Sequence, residues 1–337
     1  MSRVAINKVY YGSCSLITSK QRYHQTSTKD TSWVGYKTPV KQLKKEDANE
    51  LVIERILHAK RYSLTLNKKK CTGCGICMEI CPREAVEITK TPKGEREEAK
   101  IPTVALKEEN CMYCGICEAL CPFGALSVNV NGERFIPVVN SESFPQLVRE
   151  ITIDETKCGL ECMEIQEPCP LNLIEVRLCT HKGKDTSSKV TVKIDKNSCP
   201  CCRVCETKFP DGAVRVEKMF HGNLRINSEK CPEGCHDCLD VCPIPGVLYL
   251  SGDGKVHVNE LNCVYCGVCS IVCPEEGALE LNRTRIRHTE VRSGAWNKAL
   301  EKLASTKALT KELKTKSGKR LKESIKKRFP PEVEDYV

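Results

Sequence analysis

CTGCGICMEICP, residues 71–82, holds four cysteines and a proline in the order C-x2-C-x2-C-x3-C-P. The same spacing returns in CMYCGICEALCP at 111–122 and in CVYCGVCSIVCP at 263–274, and CPEGCHDCLDVCP at 231–243 repeats it with one extra residue in the first gap. The 337-residue chain carries 25 cysteines and only 5 % aromatic residues, so thiols at fixed spacing organise it. Secreted disulfide scaffolds are short and follow a signal peptide. The first twenty residues, MSRVAINKVYYGSCSLITSK, hold no long apolar run, and no stretch approaches the ~18 consecutive apolar residues of a membrane helix. A cytoplasmic location with reduced thiols is expected, and reduced cysteines at tight spacing bind metal.

Zinc closes with two C-x2-4-C knuckles, which three cysteines at x2 followed by x3-C-P do not supply. That run is instead the bacterial-type [4Fe–4S] ferredoxin motif, in which the fourth cysteine ligates the other cluster of a pair. The exchange rule gives four sets: Cys71, Cys74, Cys77 with Cys121; Cys111, Cys114, Cys117 with Cys81; Cys231, Cys235, Cys238 with Cys273; and Cys263, Cys266, Cys269 with Cys242. Gly75, Gly115 and Gly267 fall inside the runs, where the backbone must pass close to a cluster or take positive φ. His236, inside one run, is expected to be an exposed neighbour, since cysteines already supply four ligands. Tyr113 and Tyr265, at matching places, are expected to pack against clusters.

The middle of the chain holds a defective copy. CPCCRVCETKFP keeps Cys199, Cys202 and Cys205 but has Phe209 where the fourth cysteine belongs. CGLECMEIQEPCP keeps Cys158, Cys162 and Cys169 but has Ile165 in the third place. Under the exchange rule both losses fall on one cluster, and Cys199, Cys202, Cys205 and Cys169 form a complete set. Ile and Phe are apolar and bulky enough to fill the void. Five clusters then use 20 of the 25 cysteines and leave Cys14, Cys158, Cys162, Cys179 and Cys201. An irregular sixth cluster on Cys158, Cys162, Cys179 and Cys201 is the weaker alternative. If the units lie in series, the middle set carries all current between the outer pairs, and Cys202→Ala is expected to cut conduction from end to end.

Short alternating or β-branched pieces flank the runs: YSLTL before 67, VEIT at 86–89, PTVAL at 102–106, ALSVNV at 125–130, KVTVKI at 189–194, AVRVE at 213–217, NLRI at 223–226, VLYL at 247–250, KVHVN at 255–259 and ALELN at 278–282. The expected fold is α+β: tandem ferredoxin-like two-cluster units of short strands and short helices, with helical N- and C-terminal extensions. The units are expected at 63–131, 132–222 (one cluster) and 223–283. The extensions are 1–62 and 284–337. EDANELVIERILHAKR at 46–61 reads as a helix, with Asp47 and Glu50 as a capping box. GAWNKALEKLASTKALTKELK at 294–314 shows a helical stripe of Trp296, Leu300, Leu303, Leu309 and Leu313.

The net charge of +9 resides in the tail, because residues 281–337 hold 16 Lys/Arg and 7 Asp/Glu while residues 1–280 hold 37 of each. Residues 307–328 hold ten Lys/Arg and two acids, a density that also fits nucleic acid, although the apolar stripe favours docking on protein. No nucleophile with a base, open metal position or cofactor loop is evident, so the chain is expected to carry electrons and not to be an enzyme by itself.

Over residues 67–282 the chain resembles the archaeal polyferredoxins, single chains of tandem two-cluster ferredoxin units. Within them it looks most like the polyferredoxin subunit of formylmethanofuran dehydrogenase. The resemblance implies a redox complex whose other subunits dock on residues 1–62 and 284–337, with low-potential electrons passing to or from CO2 reduction on methanofuran. A polyferredoxin linked to hydrogenase or heterodisulfide reductase, or a free one, is the alternative. A nucleic-acid-binding protein with structural clusters is the weaker third reading. Ile165 and Phe209 depart from the family pattern.

Overall fold

The computed structural model describes residues 41–90, 101–165, 167–180, 188–291, 300 and 303–304, with main chain alone at 179–180 and 188–189. In chain order the elements are β1 (Lys41–Glu46), β2 (Glu50–Ile56), β3 (Arg61–Asn67), α1 (Ile76–Ile80), β4 (Val86–Thr89), β5 (Thr103–Leu106), α2 (Ile116–Ala119), β6 (Leu126–Val130) and β7 (Glu133–Arg134). Then come α3 (Pro137–Asn140), β8 (Ile151–Ile153), β9 (Ile174–Thr180), β10 (Ser188–Ile194), α4 (Val204–Lys208) and β11 (Val214–Val216). The last are β12 (Phe220–Ile226), α5 (Asp237–Asp240), β13 (Leu248–Leu250), β14 (Val256–Val258), α6 (Val268–Val272) and β15 (Leu279–Ile286). The class is α+β with short helices and short strands.

One pairing order occurs three times. Strand β3 runs antiparallel to β6, and the β4–β5 ribbon lies between them in sequence. Strand β8 pairs with β11 around β9–β10, and β12 pairs with β15 around β13–β14. Each stretch therefore reads strand, cysteine run, ribbon, cysteine run, strand. The middle stretch differs at its first run, where two 3-10 turns, Glu155–Lys157 and Leu160–Met163, stand in place of an α-helical turn. The β12–β15 ladder slips between His221 and Gly222. A Cβ on Gly222 would lie 2.1 Å from the Asn282 carbonyl oxygen, so only glycine fits this bulge.

The helix expected over 46–61 is not formed: these residues build β2 and the turns that join it to β1 and β3. The sheet order is β1-β2-β3-β6-β7, so it crosses the expected boundary at residue 62. Leu51 and Ile53 alternate inward at 1 % and 0 % exposure, and their branched neighbours suit a pleated surface. Asp47, read as a helix cap, is a turn residue: its Oδ1 accepts from the main-chain N–H of Asn49 and of Glu50, both at 2.7 Å. Glu54, 7 % exposed, is held on the sheet by Arg61 at 2.7 Å. The open edge of β3 offered a ladder, and tertiary pairing overrode the local helical pattern.

Two apolar clusters fill the interior. Leu51, Ile53, Leu64, Leu66 and Val128 belong to one, beneath the large sheet. The other joins Ile76 and Ile80 of α1 to Phe209, Phe220, Ile244 and Val268. Leu300 and Leu303, from the expected tail helix, are buried in this second cluster. Most of that helix, the basic stretch 307–328, Cys14 and residues 1–40 lie outside the described residues.

Candidate metal centres

Three of the four complete cysteine runs enter a short helix through a left-handed turn, whereas the Cys231 run enters α5 through His236 at φ −133°. Gly75 has φ 80°, Gly115 φ 85° and Gly267 φ 94° at the helix N-caps. Two residues earlier Gly73, Tyr113 and Tyr265 also have positive φ, of 66°, 55° and 50°. This winding turns main-chain N–H groups back onto sulfur. The N–H of Tyr113 reaches Cys111 Sγ at 3.4 Å, and that of Tyr265 reaches Cys263 Sγ at 3.4 Å. After the prolines, Ala85 N–H reaches Cys81 Sγ and Ala125 N–H reaches Cys121 Sγ, both at 3.3 Å. Such N–H···S contacts favour thiolate and help to set the potential of a bound cluster.

The defective copy keeps the same winding in its second run. Cys201 has φ 57° and Arg203 φ 71°, in the places of Tyr265 and Gly267. A left-handed arginine costs roughly 1 kcal/mol. Its side chain is tied by Nε to Glu206 Oε2 at 2.7 Å, and Glu206 Oε1 accepts the Val216 N–H at 2.5 Å. Glu118, one residue after Cys117 as Glu206 follows Cys205, accepts the Val128 N–H at 2.6 Å and Arg134 Nε at 2.8 Å. Loop and strand are thus latched alike in the two stretches.

The fold gathers cysteines across the runs. One cavity is lined by Cys71, Cys74, Cys77 and Cys121, and another by Cys111, Cys114, Cys117 and Cys81. A third is lined by Cys199, Cys202, Cys205 and Cys169, and a fourth by Cys263, Cys266, Cys269 and Cys242. For the fifth set, the Cys238 thiol is pushed up to about 12 by burial and then by its neighbours Cys231, Cys235 and Cys273. Burial likewise pushes Cys71 up to about 11 and Cys266 to about 12. Metal must displace these protons to bind.

The donor sets suit a polynuclear, soft-ligand group. Among the described residues no group of three or more His, Cys, Asp or Glu converges as a single ion requires. Four thiols line each of four cavities, the number and softness of donor that a cubane takes. Thr72 Oγ1 and Tyr113 OH are buried without a hydrogen-bond partner, and both residues line cysteine cavities.

Phe209, 5 % exposed, and half-buried Ile165 belong to the same apolar core as Cys158 and Cys162. The Cys158 thiol is pushed up to about 11 by burial first and then by its hydrogen bond to Cys162. Cys201 turns elsewhere: its N–H donates to Cys199 Sγ at 3.4 Å and its thiol points to the Cys199 carbonyl at 3.9 Å. The side chain of Cys179 lies outside the described residues, so the irregular sixth set is not assembled by the residues described. His236 pairs through Nδ1 with Asp240 at 3.1 Å, on the surface, as an exposed neighbour would.

Four cations at the runs were not read from the sequence. Arg55 Nη2 donates to the Cys111 carbonyl at 2.7 Å and lies over the Tyr113 ring. Arg149 donates from Nε to the Cys199 carbonyl at 2.9 Å and from Nη2 to the Cys121 carbonyl at 2.8 Å. Lys218 Nζ donates to the Glu260 carbonyl at 2.6 Å and sits 5.1 Å from the Tyr265 ring centre. Arg283, 6 % exposed, donates to the carbonyls of Tyr265 and Cys266, both at 2.8 Å. None belongs to a motif; each was placed by folding against a distant run.

Comparison with known proteins fits this arrangement. The 4Fe-4S dicluster domain family matches residues 70–125. The polyferredoxin-like subunit of an aliphatic sulfonate oxidoreductase from Pyrococcus furiosus is 28 % identical over 103 residues, covering 27 % of this chain and 58 % of that protein. Formate hydrogenlyase subunit 2 of Escherichia coli is 32 % identical over 99 residues, covering 27 % of this chain and 47 % of that protein. This chain thus spans about half the length of these relatives. A chain of the formate dehydrogenase–heterodisulfide reductase–formylmethanofuran dehydrogenase complex from Methanospirillum hungatei superposes with a TM-score of 0.67 at 30 % identity. The match covers 79 % of this chain and 92 % of that one. Residues 70–125 thus belong to the 4Fe-4S dicluster domain family, and the chain is similar both to a polyferredoxin-like subunit and to a chain of a multi-enzyme redox complex.

Proposed function

We propose that this protein is a polyferredoxin, a non-catalytic electron-transfer subunit with five [4Fe–4S] clusters, working inside a formylmethanofuran dehydrogenase complex. The carrying observation is that cysteines distant in sequence share cavities in the crossed order of two-cluster ferredoxins. The proposed ligand sets are Cys71/Cys74/Cys77/Cys121, Cys111/Cys114/Cys117/Cys81, Cys199/Cys202/Cys205/Cys169, Cys231/Cys235/Cys238/Cys273 and Cys263/Cys266/Cys269/Cys242. The proposed units are 63–131, 132–222 and 223–283, with β1 and β2 added to the first and the whole of β12 and β15, Phe220–Ile226 and Leu279–Ile286, assigned to the third. When bound, the clusters supply one-electron redox chemistry. The chain's residues space the sets, keep water from them with Leu, Ile and Val side chains, and direct N–H groups at sulfur. The likeness to the Methanospirillum complex supports the choice of enzyme, with the other subunits as partners and a cytoplasmic setting; the polyferredoxin-like oxidoreductase subunit supports the alternative of another redox complex.

The test is iron and acid-labile sulfide analysis of anaerobically purified chain, with identification of proteins that co-purify from native cells. About 20 iron atoms per chain are expected. Cys202→Ser is expected to remove about four of them and Cys162→Ser none. About 24 in the native chain, or a loss in Cys162→Ser, would refute the five-cluster assignment. Co-purification with hydrogenase subunits alone would move the protein to the alternative complex.

A further inference from the structure

We infer that the first and third stretches exchange electrons directly, across a junction pinned by Arg283, and that the middle cysteine set is a side branch and not a series link. This rests on the cluster reading above.

The sequence order places the middle stretch between the outer two, but the fold brings the outer two together. The turn of the Cys74 run nests against that of the Cys266 run. A Cβ on Gly75 would lie 2.6 Å from Ile271 Cδ1 of α6, and a Cβ on Gly267 would lie 3.9 Å from the Cys74 carbonyl oxygen. The glycines that wind the cysteine turns are thus also what lets the two runs approach. Arg283 of β15 closes the contact. Its guanidinium binds the Tyr265 and Cys266 carbonyls in its own stretch and lies 3.7 Å from Glu79 of α1 in the first. It also lies 5.9 Å from the Phe220 ring and donates to the Leu303 carbonyl at 3.4 Å. Glu79 is shielded at this contact, and burial raises its carboxyl against the opposing pull of Arg283. A buried guanidinium with carbonyls on one side and a carboxylate on the other fixes orientation, because leaving any partner unpaired is costly.

The middle set touches both outer stretches through other residues. Arg149 bridges the Cys121 and Cys199 carbonyls, and Lys218 reaches Glu260 and the Tyr265 ring. The three stretches thus meet pairwise, through Arg149, Lys218 and the Gly75 and Gly267 turns, in a closed ring of contacts. The Cys114 set attaches through the Cys74 set, since Cys117 lies beside Cys77, and the Cys235 set attaches through Cys238 beside Cys269. Breaking a ring at one member leaves the other two in contact. With clusters bound, each hop would move one electron from the cluster held by one set to that held by its neighbour, with no bond made or broken. Because tunnelling falls steeply with distance, the direct contact between the outer stretches carries this traffic without the middle set.

The test uses full-length chain purified anaerobically, reduced with dithionite and read by low-temperature EPR over a range of microwave powers, with iron content measured on each sample. Cys202→Ser/Cys205→Ser is expected to lose about a fifth of the iron and to keep the spin–spin broadening and fast relaxation that join the two outer pairs. Arg283→Gln with full iron is expected to lose that coupling and relax as two separate pairs. Should Arg283→Gln lose iron as well, Glu79→Gln decides, because it removes the partner carboxylate while leaving Arg283 and every cysteine in place; weaker coupling at full iron is expected. Coupling lost without the middle set, or unchanged in both junction variants at full iron, overturns the inference. Absence of iron and of any reduced signal in the parent chain would refute the cluster reading instead.

Discussion

The first and middle stretches are built to one plan and differ in what fills it. In the first, two runs wind through Gly75 and Gly115, and both cysteine sets line cavities. In the middle, the Cys199–Cys205 run keeps the same left-handed turns even with Arg203 in the glycine position. Its partner run forms 3-10 turns, with the Cys158 thiol hydrogen-bonded to Cys162 and Phe209 buried in the same core. The strained geometry survives where four cysteines face one cavity and is gone where they do not. Strain at Arg203 is thus tied to a cavity the fold still assembles, while Cys158, Cys162, Ile165 and Phe209 share one apolar core.

The comparison can be broken most forcefully by removing iron. Each stretch has little core of its own, so clusters acting as staples should hold the fold. Stripping iron with acid and chelator is expected to abolish the cooperative thermal transition followed by circular dichroism; an intact transition would show that the apolar clusters suffice. Next, Phe209→Ala should cost ~3–5 kcal/mol in anaerobic denaturant unfolding, because a filled core position is emptied, with iron content unchanged. A cost near zero would mean that Phe209 does not fill the lost site.

Rebuilding the site sharpens the comparison from the other side. Ile165→Cys/Phe209→Cys restores both missing positions and is expected to raise iron from about 20 to about 24 atoms per chain after reconstitution. Unchanged iron would show that the 3-10 turns no longer present Cys158 and Cys162 correctly. The smallest effect is expected for Arg203→Gly. Relief of the left-handed conformation gains ~1 kcal/mol, offset by the lost Glu206 contact and added chain entropy. A net change within ~1 kcal/mol is expected from the unfolding midpoint, and a large loss would assign the latch more weight than the turn.

The ribbons around the runs were legible because VEIT, KVTVKI and ALELN alternate between bounding turns. The segment 46–61 was not: its Leu51, Val52, Ile56 stripe fits a helix, and the unpaired edge of β3 that makes it a strand lies in later sequence. β8 and β9 were missed for a related reason. Ile151–Ile153 is three residues long and takes its register from β11, and Ile174–Thr180 is broken by charged residues at Glu175 and Arg177. Cysteines that line one cavity could be grouped from spacing, because the exchange rule is local chemistry. The cations on the cysteine-run carbonyls could not, since Arg149 and Arg283 act 50 and 17 residues from Cys199 and Cys266 and belong to no pattern.

The sequence by itself determined the cysteine spacing: which runs repeat, where Ile165 and Phe209 break the repeat, and that these two residues are apolar. Covalent spacing limits what a short turn can present to a cluster, so those facts are readable without a fold. The order in which the sets meet was decided only by tertiary structure. Contact of the Gly75 turn with Ile271, and of buried Arg283 with Glu79, brings together runs nearly two hundred residues apart, and no local pattern encodes that contact. A chain read as a line of stations with a gap in the middle folds into a ring in which the two ends of the line touch.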